Sequence, residues 1–258
     1  MFQSIAGTGL RIANLADHPE LGTALLTMES TWPAYIRPDP TLVHWIFDRH
    51  PRHQLVVLDE TDTVVARAAS APLAWDEDPD SLPDTGWDEA LRQCMSDTYA
   101  GHRLNALCAL EIAVVPGRQA SRLSGRTLQA LKDHARVNGF GDLVAPVRPS
   151  LKHTEPRLTM AAYAARTRPD GLPQDPWLRV HARTGGRVLK VCPASMTISG
   201  SLAQWRAWTD LPFDTSGPVE VPGALAPVLA DVEQGHAVYI EPNVWVHHGL
   251  RQPAAVGA

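Results

Sequence analysis

The stretch Leu104-Asn105-Ala106-Leu107-Cys108-Ala109-Leu110-Glu111-Ile112-Ala113-Val114-Val115-Pro116-Gly117-Arg118-Gln119-Ala120-Ser121-Arg122-Leu123-Ser124-Gly125-Arg126 sets the architecture. Its first twelve residues form an apolar run of buried-strand type, stopped by Pro116-Gly117. From Ser121 to Asn138 the pattern turns helical. Leu123, Leu128, Leu131 and Ala135 make one packing face, and Gly139 suits the C-terminal cap. A helix start presents unpaired N–H groups and the positive end of the helix dipole, which together hold phosphates. Arg122 and Arg126 lie four apart on one helix face with Arg118 just upstream, and the small residues Gly117, Ala120, Ser121, Ser124 and Gly125 let a ligand approach the backbone.

Working outward, Leu10–Leu15 reads as a first strand, followed by helices over Pro19–Trp32 and from Asp39-Pro40 to Phe47. Gln54–Leu58 and Thr63–Ala68 are strands joined by Asp59-Glu60-Thr61-Asp62, a hairpin signature. The acidic turn Asp76-Glu77-Asp78-Pro79-Asp80 precedes an inserted helix over Trp87–Tyr99. Beyond the central stretch come a strand at Leu143–Ala145, helix and loop from Ser150 to Thr184, and late strands at Val188–Val191 and Ala237–Ile240. This order predicts a mixed α/β sheet with helices on its faces. The predicted organisation is one domain over residues 1–198, with residues 199–258 as a C-terminal extension packed on it.

Bulk properties bound the rest. The chain has 258 residues, long enough for a full core, and 23 Lys/Arg against 28 Asp/Glu give a net charge of −5. Between Arg118 and Lys190, however, 14 basic residues face 5 acidic ones, a local balance of +9 that leaves −14 for the remainder. That concentration points to a polyanionic ligand. No apolar run approaches 18 residues, and the start Met1-Phe2-Gln3-Ser4 has no signal-peptide pattern. Cys94, Cys108 and Cys192 are widely spaced packing residues of a reduced, cytoplasmic protein. The histidines at 50, 53, 247 and 248 lack metal-ligand spacing, so no metal is expected. Dinucleotide, phosphate-loop and nucleophile-elbow motifs are absent.

The strand–turn–helix resembles the acyl-CoA-binding motif of the GNAT (GCN5-related N-acetyltransferase) superfamily, Arg/Gln-x-x-Gly-x-Gly/Ala. Gln119 falls at the first position, while Arg122 and Ser124 stand at the two later glycine positions, a departure from the pattern. The order of elements over residues 10 to 192 is also similar. The segments Ala145–Lys152 and Asp175–His181 resemble a GNAT-like branch common in actinobacterial genomes.

The resemblance implies a mostly antiparallel GNAT-like sheet and direct acyl transfer from acetyl-CoA or another acyl-CoA to the amine of a small-molecule acceptor, as in natural-product metabolism. It assigns the donor site to Ile112, Val114, Arg118, Gln119, Arg122, Ser124 and Arg126, with backbone N–H groups near Val114 polarising the thioester carbonyl. Glu111, which interrupts the apolar strand, is the candidate base. His181 stands where the family often carries an acid tyrosine, and is the candidate proton donor. Trp32, Tyr35, Arg148 and Lys152 are assigned to the acceptor side. Two alternatives stay open: aminoacyl-tRNA as the donor, which would need a wider basic surface, and a non-catalytic acyl-CoA-sensing or protein-docking module. The oligomeric state is left open, with a dimer compatible.

Overall fold

A computed structural model describes residues 2–5, 8–29, 32–118 and 122–251. Its strands are β1 (Gln3–Ile5), β2 (Leu10–Asn14), β3 (Leu55–Leu58), β4 (Val64–Leu73), β5 (Ala106–Val114), β6 (Asp142–Val147), β7 (Arg187–Ser201), β8 (Gly217–Val219), β9 (Val228–Asp231) and β10 (His236–Gly249). Its helices are α1 (Gly22–Thr27), α2 (Pro40–Arg49), α3 (Gly86–Ala100), α4 (Leu123–Val137), α5 (Met160–Ala164), α6 (Pro176–Arg183) and α7 (Leu202–Thr209). The strands join in one sheet in the order β1-β2-β3-β4-β5-β6-β10-β9-β8, with β7 on the other edge of β10. Every described pairing is antiparallel except β5 with β6. The mixed, mostly antiparallel sheet expected from the sequence is therefore present.

Local chemistry explains the elements. Asp39 caps α2 by accepting from Thr41 N, and Pro40 starts the helix where its missing N–H costs nothing. Asp175 does the same for α6, accepting from Trp177 N and Leu178 N ahead of Pro176. Ser201 and Gln204 form a capping box on α7. Gly139, at φ +83°, closes α4 as its sequence position predicts. At the β3–β4 hairpin the Asp59 carboxylate accepts from Thr61 N and Thr63 N.

Alternation along β5 and β6 gives the sheet two apolar faces. Leu107, Leu143 and Ala145 pack under Leu123, Leu128, Leu131 and Leu178 of α4 and α6. Cys108, Leu110 and Val144 face Ile46, Leu91 and Cys94 of α2 and α3. The three cysteines are buried and free, and burial pushes the Cys94 and Cys192 thiols up to about 12, so they act as small apolar fillers.

Several boundaries differ from the sequence reading. The helix expected over Pro19–Trp32 is a single 3-10 turn at Pro19–Leu21 followed by α1, which ends where Met28 turns extended at ψ 125°. Helix α4 starts at Leu123 because Arg122 is left-handed, at φ 60°. The late strands are far longer than Val188–Val191 and Ala237–Ile240. Burial alternates over 196–199 of β7 and 237–241 of β10, and the buried positions of the two strands include the polar residues Ser195, Glu241, Asn243 and His248. Residues 199–258 contribute β10, which pairs with β6 and β7 inside the sheet.

Two irregularities create the site. The parallel pairing of β5 with β6 covers only Ala106–Cys108 against Asp142–Val144, so the two strands part beyond Ala109 and Ala145. Opposite this opening, β5 carries a bulge at Leu110, between the pairs Ala69↔Glu111 and Ser70↔Ala109. The freed Leu110 carbonyl accepts from Trp87 Nε1 at 2.9 Å. Strand β10 pairs with β9 over 236–238 and with β6 over 244–249, leaving residues 239–243 paired along β7 alone.

Candidate active site

Where β5 and β6 part, a cavity of about 1030 Å³ opens. Residues 109–114 of β5 and 145–148 at the end of β6 form its walls. Arg122 and Ser124 at the start of α4, with Arg179, His181 and Arg183 of α6, line one part. Trp32, Pro33, Trp87, Arg148, Met196, Gly223, Glu241 and Asn243 line another. One part is thus rich in cationic side chains, the other in indole walls and buried acceptors.

The expected residues divide. Trp32, Glu111, Ile112, Val114, Arg122, Ser124, Arg148 and His181 all line the cavity. Gln119 lies outside the described residues. Arg118 and Arg126 do not line it: Arg118 reaches back to Asp59 at 2.9 Å, and Arg126 is exposed one turn into α4. Tyr35 is core, packed on Trp205 and Tyr239 with its hydroxyl donating to Pro222 O. Lys152 is fully buried and donates to the carbonyls of Glu155 at 2.7 Å and Leu225 at 2.6 Å, which ties a loop down instead of meeting a ligand. The expectation of Tyr35 and Lys152 as acceptor contacts is corrected accordingly. In both cases a polar tip finds backbone partners in the interior, as burial requires.

Glu111 forms a bidentate pair with Arg67, Nε to Oε2 at 2.8 Å and Nη2 to Oε1 at 3.0 Å, and Arg67 is itself anchored on Leu25 O. Its carboxylate is therefore oriented rigidly beside the opening of the strands. His181 is buried, with its Nδ1 2.9 Å from Nε2 of His248. Burial, then the neighbouring His248 and Lys132, depress its pKa to about 3. The ring is neutral at physiological pH, so it does not carry the extra proton that an imidazolium donor would supply. Its Nε2 has no partner among the described residues.

The sequence reading overlooked Glu241. It is completely buried, and its Oε2 accepts from Arg148 Nε at 3.0 Å and from Tyr239 OH at 3.0 Å. Burial raises its pKa, opposed by the Arg148 charge. Arg148 also donates to Gly223 O and lies 5.6 Å from the Trp32 ring centroid. Asn243 is equally buried, with Nδ2 donating to Ser195 Oγ at 2.9 Å and Pro146 O at 3.2 Å. Glu241 interrupts an apolar strand just as Glu111 does, so the same rule would have found it.

Most of the basic stretch from Arg118 to Lys190 has partners within the chain, many of them in exposed ion pairs. Arg118, Arg136, Arg148, Arg157, Arg166, Arg168 and Lys190 pair with carboxylates. Lys132, Lys152 and Arg179 donate to backbone carbonyls. Arg122 and Arg183 are the basic residues that this pairing does not draw in and that line the cavity.

The chain is 32% identical over 276 residues to the arginine N-acetyltransferase avaD of Aspergillus versicolor, covering 94% of each protein. The chain belongs to the GNAT (GCN5-related N-acetyltransferase) superfamily. The fold agrees with solved GNAT-like structures. The loading GNATL domain of CurA from Lyngbya majuscula superposes with a TM-score of 0.56 at 17% identity, over 93% of this chain and 96% of that one. The GphF GNAT-like decarboxylase, solved in complex with isobutyryl-CoA, gives 0.53 at 19% identity, over 94% and 99%. No family model matches the chain. As a GNAT-type N-acyltransferase, the enzyme transfers an acyl group from acyl-CoA to an amine. Among the described residues there is no cluster able to hold a metal ion, and no helix long and apolar enough to cross a membrane.

Proposed function

We propose that the enzyme acetylates an amine of arginine or a close guanidino relative, with acetyl-CoA as donor. The observation that carries this reading is the polarity of one continuous cavity, cationic beside the start of α4 and acceptor-rich at β10, with the parted strands between. The activity named for the Aspergillus versicolor relative supports the same acceptor.

In this reading Arg122, Ser124, Arg179 and Arg183 hold the donor's phosphates at the start of α4 and along α6. The backbone of Ile112 and Val114, unpaired toward β6, aligns the donor arm. N–H groups near Val114 polarise the carbonyl. The acceptor nitrogen attacks that carbonyl, a C–N bond forms and the C–S bond breaks. Glu111, fixed by Arg67, takes the amine proton through a water. His181, neutral, offers an Nε2–H hydrogen bond to the departing sulfur. Arg148 and Trp32 border the acceptor.

Aminoacyl-tRNA is the less supported donor, because most of the basic stretch is paired within the fold and a tRNA backbone needs a continuous cationic surface.

The test is incubation with acetyl-CoA and L-arginine, with mass spectrometry of the product. Arginine heavier by one acetyl group is the expected result. Turnover of other amines with none of arginine would overturn the acceptor assignment. Arg122→Ala is expected to raise the KM for acetyl-CoA about tenfold, the scale of one lost charged hydrogen bond, with a much smaller change in kcat. An unchanged KM in steady-state kinetics removes Arg122 from the donor site.

A further inference from the structure

Strand β10 places Glu241 and Asn243 two residues apart, on the buried face it shares with Tyr239. A register irregularity lies between them in the pairing with β7, a device that re-aims side chains. Each residue is used on one side and idle on the other. Glu241 Oε2 is occupied by Arg148 and Tyr239, while Oε1 has no partner among the described residues. Asn243 Nδ2 is held by two acceptors, Ser195 Oγ and Pro146 O, which fixes the amide so that Oδ1 is the free atom. Ser195 Oγ is itself bound by Trp87 N at 3.0 Å, so the arrangement is braced from behind.

Buried acceptors are almost always satisfied, and two orphans on one strand face in one cavity call for an external donor. Trp32, Trp87 and Met196 supply flat or pliant apolar walls beside them. The chemistry that answers two fixed acceptors between such walls is a planar fork of N–H donors. We infer that Glu241 Oε1 and Asn243 Oδ1 form a guanidinium subsite, which anchors the acceptor by its side chain and leaves its α-amine to be acylated.

This inference rests on the acceptor reading proposed above and refines it: the guanidinium is the handle and the α-nitrogen the nucleophile. A compact ammonium would satisfy the two oxygens less well, because its donors diverge tetrahedrally. A neutral urea would set a carbonyl oxygen against one of them.

The experiment is calorimetric binding of L-arginine, L-citrulline and L-lysine to the full chain, followed by kinetics with acetyl-CoA and mass-spectrometric location of the acetyl group. The wild-type protein is expected to bind arginine about 100-fold more tightly than citrulline, the scale of charged hydrogen bonds against an unpaired acceptor. Glu241→Gln exchanges an acceptor for a donor, so it is expected to narrow that ratio at least tenfold by improving citrulline while weakening arginine. A merely structural loss would weaken both alike. Asn243→Leu, which keeps the Glu241–Arg148 pair, is expected to weaken arginine about tenfold without improving citrulline.

Equal binding of arginine and citrulline, or a ratio unmoved in both folded variants, overturns the subsite. So does an acetyl group found on the guanidino nitrogen. Selective arginine binding without acetyl transfer would instead sink the proposed function while upholding the subsite.

Discussion

Acidification from pH 7 to pH 5 is expected to destabilise the folded protein by several kcal/mol. Four histidines are responsible. His181 and His53 have their pKa lowered to about 3, and His248 and His134 to about 4, in each case chiefly by burial. They form two facing pairs, His181 with His248 at 2.9 Å and His53 with His134 at 3.1 Å, so a proton on either ring also repels its neighbour.

The sign follows from linkage. In the unfolded chain each imidazole takes a proton near pH 6.5, while in the folded state it stays neutral until pH 3 to 4. The stabilisation is therefore present above pH 6.5 and lost as the pH falls toward the folded values, at about 1.4 kcal/mol per pH unit for each group. Four such groups over the interval give a loss that is a large part of a typical domain's stability of roughly 5–15 kcal/mol. Glu241 and Asp88, whose pKa values are raised chiefly by burial, act in the opposite direction. Urea unfolding followed by circular dichroism at half-unit steps checks the slope. A flat profile between pH 7 and 5 would show that the rings are solvated. His134→Gln is expected to flatten the slope by about one quarter, since one of four titrating groups is removed.

Arg148→Met is expected to destabilise the fold by about 3–5 kcal/mol at pH 8.5, the cost of stranding one partner of a buried ion pair. The guanidinium holds Glu241, which has no exposed surface, and also ties down the Gly223 carbonyl. Without it, the desolvation that already raises the Glu241 pKa is countered by the Tyr239 hydrogen bond but no longer by a charge. A carboxyl whose folded pKa is raised favours the folded state below its unfolded pKa and loses that advantage as pH rises through the folded value. The deficit of the variant is thus expected to be smaller at pH 6 than at pH 8.5, the carboxyl escaping part of the cost by taking up a proton. Removing both charges together, in Arg148→Met/Glu241→Leu, is expected to recover much of the loss, since apolar replacement of a whole buried pair is often close to neutral. Chemical denaturation of the wild type and the two variants at the two pH values measures this. A deficit independent of pH would mean that Glu241 is not the group Arg148 compensates.

Much of the architecture was legible without coordinates. The apolar run ending at Pro116-Gly117, the helical face of Leu123, Leu128, Leu131 and Ala135, and the stop at Gly139 are local signals, each readable within a few residues of chain. So are the Asp39-Pro40 helix start and the hairpin at Asp59. The strand–turn–helix they compose carries the GNAT resemblance. It led to Ile112, Val114, Arg122, Ser124, Glu111 and His181, all of which line the cavity.

What tertiary structure alone decided lies at longer range. That Glu111 is clamped by Arg67 depends on the register of β4 against β5. That Lys152 and Tyr35 are buried, instead of meeting an acceptor, depends on the Pro222–Leu225 loop closing over them. That Glu241 and Asn243 belong to the site depends on β10 pairing with β6, Val244 against Val147, across nearly the whole second half of the chain. Helix periodicity, caps and turns act over three or four neighbours and leave a trace in the local sequence. Strand pairing joins residues about a hundred apart through backbone groups that every residue shares, so no local pattern announces which side chains it will bring together.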